Sequence, residues 1–182
     1  MVSLRPAVPW VLALAVLAVV AVRVLGLLDE RPPDGAGAPP SADTTYAAEV
    51  TRVVDGDTIR VRIGDRRERV RYIGIDAPES RRPGTPVQCF AREAGARNVQ
   101  LVGGEAVSLR TDAEPRDRFG RLLAYVHRRR DGLFVNEALL REGFATTLAI
   151  APNLSHSLRF RELERAARRQ ARGLWRACLK NG

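Results

Sequence analysis

The stretch RVRYIGIDAPES, residues 69–80, has the alternation of an extended strand and ends in side chains that can do chemistry. Arg71 lies within its apolar run, and Asp76 and Glu79 flank the proline at its exit. A third acid, Asp57, stands at the start of the preceding strand. Three carboxylates at strand ends suit a hard divalent cation with oxygen ligands, because the ion's charge offsets their mutual repulsion. Acids at surface turns are also common, so the carboxylates alone leave both interpretations open.

Two arginines favour phosphate chemistry at this place. Arg71 shares its strand face with Ile73 and Ile75, and Arg121 begins the strand that follows EPRDRFG. Hydrolysis of a phosphodiester places extra negative charge on the phosphoryl oxygens, and a planar guanidinium binds two such oxygens at once. A cation, two arginines and one glutamate therefore predict a phosphodiesterase site.

The elements that must position these residues follow from periodicity and turn residues. Helices are predicted over residues 88–102, over 135–143 and from Ser157 towards Gly173, and strands over 48–54, 58–63, 69–75, 106–110 and 121–127. Asp55-Gly56 between the first two strands indicates a hairpin. Five short strands with interspersed helices predict an α+β fold, a small closed β-barrel of the OB type with helices packed on it.

The second strand predicts where Asp57 points. Period two places it on the same face as Ile59, Val61 and Ile63, while Arg60 and its neighbours face the other way. The apolar face must be the buried one. Asp57 is therefore expected at the rim of the core, where an acid is costly unless a cation meets it.

Composition limits the partners. The chain of 182 residues has a net charge of +9, carried by 29 arginines and a single lysine. Such a balance favours a polyanion, either nucleic acid or an acidic membrane surface. An apolar content of 45% is enough for a packed core and argues against a disordered chain.

The N-terminal residues 1–30 are predicted to be a signal-anchor or a cleaved signal peptide. Ala7–Leu28 is apolar apart from Arg23, and its 22 residues are long enough to span a bilayer. Either outcome exports the remainder, so we expect an extracytoplasmic protein, anchored to the membrane by one helix or secreted. Residues 31–44 are rich in Pro, Gly and Ala and predict a linker, and 45–182 form the folded domain.

Cysteines and histidines have separate interpretations. Cys89 and Cys178 are the only cysteines, and an even number in an exported domain favours a disulfide, with two free thiols as the alternative. His127 and His156 form no metal-ligand spacing with each other or with the cysteines, so we interpret both as structural or surface residues.

Four ordered blocks resemble those of the staphylococcal nuclease (thermonuclease) family over about residues 48–176. They are VVDGDTIRV, RVRYIGIDAPES, DRFGRLLAYV and VNEALLREGFA. The resemblance implies an OB-fold barrel with three packed helices and a calcium-dependent endonuclease that acts on DNA and RNA. It implies cleavage at the 5′-oxygen side, which leaves 3′-phosphate ends, without a small-molecule cofactor. We expect a monomer.

The resemblance also implies a role for individual residues. Asp57 and Asp76 match the calcium-binding carboxylates, and Ala77 lies where a backbone carbonyl completes the metal shell. Glu79 matches the proposed general base that activates water. Arg71 and Arg121 match the pair that stabilises the charged transition state.

Two departures from the family affect substrate binding. Phe119 replaces a tyrosine, and residues 146–153 contain no aromatic side chain where the family has tyrosines. Stacking of a base on an aromatic ring is typically worth ~1–3 kcal/mol. Substrate contacts are expected instead from an arginine set together with Phe119; the arginines are Arg81, Arg82, Arg116 and Arg118.

The alternative function is a membrane-tethered OB module that binds nucleic acid without cleaving it. Such a module would not need the acids and arginines of a catalytic site. All five are present in this sequence: Arg71, Glu79, Arg121, Asp57 and Asp76.

Overall fold

The computed structural model describes residues 40–79, 84 and 86–178, and its centre is a barrel of five strands. The strands of the fold are β1 (Thr45–Val53), β2 (Thr58–Ile63), β3 (Arg66–Tyr72), β4 (Gly74–Asp76), β5 (Ala106–Arg110), β6 (Leu122–Arg128) and β7 (Thr146–Leu148). The helices are α1 (Ala91–Val102), α2 (Val135–Glu142), α3 (Ser157–Arg169) and α4 (Leu174–Ala177). The described residues all belong to the unit Gly37–Gly182.

The barrel closes in the order β1-β2-β3-β6-β5, and β5 pairs back onto β1. Only the β3–β6 pairing is parallel. This confirms the predicted five-stranded barrel and its α+β class. Thr58 on β2 lies opposite Arg71 on β3, and the backbone N–H of Tyr72 donates to the carbonyl of Asp57 at 2.9 Å. The start of β2 and the end of β3 therefore meet at one rim.

Apolar side chains from every barrel strand fill the interior. Val61, Val70, Val107 and Leu122 have no exposed surface, and neither does Leu139 of α2. Burying a side chain of this size contributes about 1.5–3 kcal/mol relative to leaving it exposed. The packed interior makes the barrel a rigid support for residues at its rim.

The strand is interrupted between β3 and β4, so the prediction of one continuous strand over 69–75 is wrong. Gly74 adopts a left-handed conformation with φ +78, and a Cβ there would lie 2.7 Å from the ring of Phe160. A glycine is required for both reasons. The break releases β4 from the barrel, and β4 pairs with β7 so that Asp76 lies opposite Thr146.

The three predicted helices are present, with shifted ends and an additional single turn. α1 begins at Ala91, after Phe90 in a left-handed conformation, instead of at residue 88. α3 ends at Arg169, because Ala171 also has a positive φ, and α4 follows after Gly173. α2 ends at Gly143 in the left-handed conformation, as the sequence predicted.

The two histidines lie in a cluster of aromatic rings. The His127 ring stacks on Phe134 with centroids 4.2 Å apart, and the His156 ring meets Tyr125 edge-on at 4.5 Å. Phe160 of α3 joins the same cluster. These contacts are those of packing residues, in agreement with the structural interpretation of both histidines.

Two groups of predictions fall on residues beyond this description. The apolar stretch 7–28 and the substrate-binding arginines Arg81 and Arg82 lie outside the described residues. Within the described part of the chain, no helix has the length and apolar character needed to cross a bilayer. The N-terminal anchor, the linker and the domain boundary remain predictions.

Candidate active site

A cavity of about 260 Å³ opens at the barrel rim where β2 begins and β3 ends. It brings together all six residues that the sequence predicted for catalysis and metal binding. Its walls are formed by Asp55, Asp57, Thr58, Arg69, Arg71, Asp76, Ala77, Pro78, Glu79, Gln88 and Arg121. Their placement depends on the β2–β3 register, the exit of β4 and the loop before β6.

Asp57 lies at the floor of this cavity, with 5% of its surface exposed. Its Oδ2 atom accepts a hydrogen bond from the backbone N–H of Ala77 at 2.6 Å, and its Oδ1 atom accepts one from the Thr58 hydroxyl at 3.1 Å. Its own N–H donates to Asp55 Oδ1 at 3.0 Å. The inward orientation predicted from period two is confirmed, and these contacts hold the carboxylate in one position.

The electrostatics of this position call for positive charge. Burial raises the pKa of the Asp57 carboxyl above its ordinary value, and the nearby carboxylates of Asp55 and Asp76 raise it further. The Arg71 guanidinium and the Ala77 N–H act in the opposite direction and are outweighed. A cation near Asp57 would favour its ionised form.

Arg71 joins the two predicted metal ligands. Its Nη1 atom lies 3.1 Å from Asp57 Oδ2, and its Nη2 atom lies 2.7 Å from Asp76 Oδ1. Nη1 also donates to the backbone carbonyl of Ile75 at 2.7 Å. The guanidinium is thus fixed between the end of β3 and β4.

Arg121, which lines the same cavity, is held by Asp117. Its Nε donates to Asp117 Oδ2 at 2.6 Å, and its backbone N–H donates to Oδ1 at 2.9 Å. The N–H of Phe119 donates to the same Oδ1, which makes an Asx turn. Sequence reasoning missed Asp117 as a positioning residue, although an aspartate at the start of DRFGR is the usual signal of such a turn.

Gln88 holds the loop that carries Glu79. Its side-chain oxygen accepts from the Glu79 N–H at 2.7 Å, and its own N–H donates to the Glu79 carbonyl at 3.1 Å. The next residue, Cys89, forms a disulfide with Cys178, and this is the predicted pairing. The disulfide attaches the segment before α1 to the end of α4. Gln88 was also missed, and no local pattern marks it.

Gly56 allows the Ala77 loop to lie against the hairpin. A Cβ at Gly56 would be 2.5 Å from the Cβ of Ala77 and 3.0 Å from that of Ala94 on α1. Any larger residue would force Ala77 or Ala94 to shift, and Ala77 is the residue whose N–H binds Asp57. The Asp-Gly turn therefore positions the carboxylate as well as reversing the chain.

The donors at the rim fit a hard cation in their chemistry. Asp57 and Asp76 have carboxylate oxygens, and Ala77, which lines the same cavity, has a backbone carbonyl oxygen. Within the described ranges, no three His, Cys, Asp or Glu side chains form a metal-binding cluster. The two carboxylates are instead bridged by Arg71, so the three-carboxylate arrangement suggested by the sequence does not occur among these residues.

A second cavity of about 430 Å³ adjoins the first and is more apolar. Arg71 and Arg121 line both cavities. Its other side chains include Phe119, which is 69% exposed, together with Leu148 and Ile150. The last two come from the segment that lacks the family's tyrosines. Both give this cavity aliphatic surface.

The predicted arginine contacts divide into two kinds. The exposed Arg118 lies over the Phe119 ring at 4.8 Å and lines the second cavity, so it is available to a substrate. Arg116 instead forms a two-point ion pair with Glu68, at 2.7 and 3.1 Å, and also donates to the carbonyl of Gly120. Arg116 also lines neither of the two cavities, so its role as a substrate contact is not supported.

Comparison with known proteins agrees with this fold and identifies the family. Residues 69–177 match the family described as Staphylococcal nuclease homologue. A thermonuclease of Staphylococcus hyicus is 32% identical over 164 residues, which cover 90% of this chain and 95% of that protein. The endonuclease YncB of Bacillus subtilis is 38% identical, covering 77% of this chain and 67% of its own length. A thermonuclease of Staphylococcus intermedius is 36% identical, with 69% and 74% covered.

The barrel and its rim site define a hydrolase of the nuclease type. The chain belongs to the staphylococcal nuclease family. The family resemblance drawn from the four sequence blocks is therefore confirmed, and so is the expectation of an enzyme in place of a non-catalytic binding module.

Proposed function

We propose that this protein is a calcium-dependent endonuclease that hydrolyses DNA and RNA at the 5′-oxygen side and leaves 3′-phosphate ends. One observation carries the proposal: a single cavity contains two arginines, a glutamate and the paired carboxylates Asp57 and Asp76. An anion that enters this cavity meets the guanidinium groups of Arg71 and Arg121. The family to which the chain belongs supports nuclease activity.

The two arginines are suited to bind the scissile phosphate. Their side chains are 12% and 23% exposed, for Arg71 and Arg121 respectively, so each is largely shielded from water yet reaches the cavity. Both are held by carboxylates before any substrate arrives. Guanidinium groups that are already oriented stabilise developing charge without a further cost of reorganisation.

Glu79 is suited to receive a proton from the attacking water. Gln88 binds both the backbone N–H and the backbone carbonyl of Glu79. Glu79 lines the cavity together with Arg71 and Arg121. The water oxygen forms a bond to phosphorus while the bond to the 5′ oxygen breaks. The released 5′ oxygen takes up a proton, and the phosphate stays on the 3′ side.

The residues that would hold calcium are Asp57, Asp76 and the carbonyl of Ala77. When bound, the ion would neutralise charge on the carboxylates and the phosphoryl oxygens. Arg71 forms ion pairs with both carboxylates. A phosphate that binds to its guanidinium would therefore lie close to the carboxylates that would hold calcium. This coupling predicts that calcium affinity and substrate affinity depend on each other.

The second cavity is suited to a nucleobase next to the scissile phosphate. Phe119 offers an exposed ring, and Leu148 and Ile150 offer aliphatic surface. Contacts of this kind do not distinguish one base or one sugar from another, which favours action on both DNA and RNA. We propose an extracytoplasmic location as well, because the disulfide between Cys89 and Cys178 suits an oxidising compartment.

Digestion by the purified full chain tests this function. Single- and double-stranded DNA and RNA are incubated with calcium, or with a chelator in excess. The product ends are identified by whether the 3′ end can be ligated to an adaptor only after a phosphatase has removed its phosphate. We expect cleavage of all four substrates with calcium and none with chelator. Full activity in chelator, or ends that carry a 5′ phosphate, would contradict the proposal. The Glu79→Gln variant controls for a contaminating nuclease.

A further inference from the structure

The outer surface of β1, β2 and β3 carries five exposed arginines, which we name the arginine face: Arg52, Arg60, Arg62, Arg67 and Arg69. They line a shallow concavity of about 570 Å³ together with Thr51 and Glu68. The concavity lies outside the barrel. Of the residues that the structure describes, Arg69 alone lines both this concavity and the candidate active site.

The strand register places these arginines opposite one another. Arg60 lies between Arg52 on β1 and Arg69 on β3, and Arg62 lies opposite Arg67. Like charges directly opposite on neighbouring strands are destabilising. Charged side chains often protect the open edge strands of a sheet from pairing with other chains. This barrel is closed and has no open edge, so edge protection does not account for the arginines.

Few acids offset this charge. Arg62 pairs with Glu49, and Glu68 is engaged by Arg116 from the other side of the strand. Among the described residues, Arg52, Arg60, Arg67 and Arg69 have no carboxylate within ion-pair distance. Four guanidinium groups are therefore directed to solvent on one small surface. A polyanion would supply the charge that the fold does not.

The arginine face leads into the active site along β3. Alternation places Arg67, Arg69 and Arg71 on the same side of that strand, and two residues advance a strand by about 7 Å. Arg71 is the arginine between the two carboxylates of the cavity, and Arg69 lines both that cavity and the concavity. The face is thus continuous with the place where the scissile phosphate is proposed to bind.

We infer that the arginine face binds the phosphate backbone of the nucleic-acid strand outside the cleaved bond. The inference rests on the proposed function, which supplies the strand and its starting point at Arg71. Guanidinium groups bind phosphate oxygens at two points, and successive phosphates can be met by successive arginines along β3 and β2. The contacts are to the backbone, so they add affinity without base specificity.

Binding of a labelled strand of 30 deoxynucleotides to the full chain tests this inference. A Glu79→Gln background keeps the strand intact, and affinity is followed by fluorescence anisotropy across a range of NaCl concentrations. The test variant combines Arg52→Gln, Arg60→Gln and Arg67→Gln, none of which lines the active-site cavity. We expect affinity to fall by about 10- to 100-fold. We expect the slope of log affinity against log salt to fall by about 2 for three lost phosphate contacts.

A matched variant separates the arginine face from overall charge. Arg161→Gln, Arg165→Gln and Arg169→Gln remove the same charge from three exposed positions on α3. We expect this variant to lose less than about threefold in affinity. Equal losses in both variants, or an unchanged salt slope in the test variant, would overturn the inference. The melting temperature of the test variant should equal or exceed that of the background, because like-charge pairs are removed.

Cleavage keeps this inference distinct from the proposed function. With Glu79 restored, kcat/KM is measured for the strand of 30 deoxynucleotides and for a dinucleotide. The ratio of the first value to the second should be about tenfold lower in the test variant than in the wild-type protein. An unchanged ratio in an active enzyme would contradict the inference and leave the proposed function standing. If strand binding depended on the arginine face but the protein cleaved no substrate, the proposed function would be contradicted and the binding inference would stand. Loss of binding to vesicles that contain phosphatidylserine, with strand affinity intact, would identify a membrane surface instead and overturn the inference.

Discussion

The Nη1 atom of Arg71 lies 3.1 Å from the Oδ2 atom of Asp57, and this ion pair joins the end of β3 to the start of β2. Both side chains are nearly buried, with 12% and 7% of their surfaces exposed. Asp76, the other carboxylate that contacts Arg71, is 56% exposed. The two acids of the proposed calcium site therefore differ in what they contribute to the fold.

Replacing each acid by alanine should separate catalysis from stability. Asp57→Ala removes the acceptor of the Ala77 N–H, but it also removes a buried carboxylate whose pKa is raised by burial and by Asp55 and Asp76, and Arg71 keeps Asp76 as its partner. The free energy of unfolding should therefore change by less than about 2 kcal/mol. Asp76→Ala should cost less than about 1 kcal/mol, because that pair is exposed. Both variants should lose nuclease activity. Urea unfolding and digestion of DNA measure the two effects, and unfolding of either variant under the assay conditions would contradict the separation of catalysis from stability.

The two arginines of the cavity should matter more to turnover than to substrate binding. Arg71→Lys and Arg121→Lys keep the charge but lose the planar two-point contact, so each should lower kcat by about 10²-fold or more. KM should change by less than about threefold, because the contact strengthens only in the transition state. Arg129→Ala, at an exposed position after β6, serves as the control. Near-normal turnover of Arg121→Lys, with loss of turnover in Arg129→Ala, would show that the site is misplaced.

Glu79 and Gln88 should affect the same step to different degrees. Glu79→Gln removes the proton acceptor and should lower kcat by about 10²–10⁴-fold. Gln88→Leu removes only the side-chain hydrogen bond to the Glu79 N–H, so we expect a loss of about tenfold with strand affinity retained. Stopped-flow cleavage and anisotropy measure the two quantities. If Gln88→Leu reduced affinity and left kcat intact, Gln88 would not position Glu79.

The disulfide between Cys89 and Cys178 should contribute strongly to stability. It joins residues 89 positions apart, and the chain-entropy model gives roughly 4–5 kcal/mol for a loop of that length. Reduction should lower the melting temperature of the wild-type protein and leave that of the Cys89→Ser/Cys178→Ser variant unchanged. Titration of two free thiols in the purified, unreduced protein would contradict the pairing.

Local sequence patterns predicted most of the barrel and the identity of the rim residues. The alternation of β2 placed Asp57 inward because apolar side chains on the same face had to be buried, and the structure confirms its burial. Turn chemistry marked the hairpin at Asp55-Gly56 and the end of α2 at Gly143. These features depend on residues a few positions apart, so they can be predicted from the sequence without knowledge of tertiary contacts.

Tertiary structure decided how the site is assembled. Gly74, where the strand breaks, lies against the ring of Phe160 from α3, and after the break Asp76 pairs opposite Thr146 instead of with a barrel strand. Gln88 and Asp117 acquire their roles only because the loops that hold them reach the same rim. The bridge from Arg71 to both carboxylates joins side chains of three elements. Periodicity describes which face a residue occupies, whereas packing between distant segments sets the distances at which charges meet.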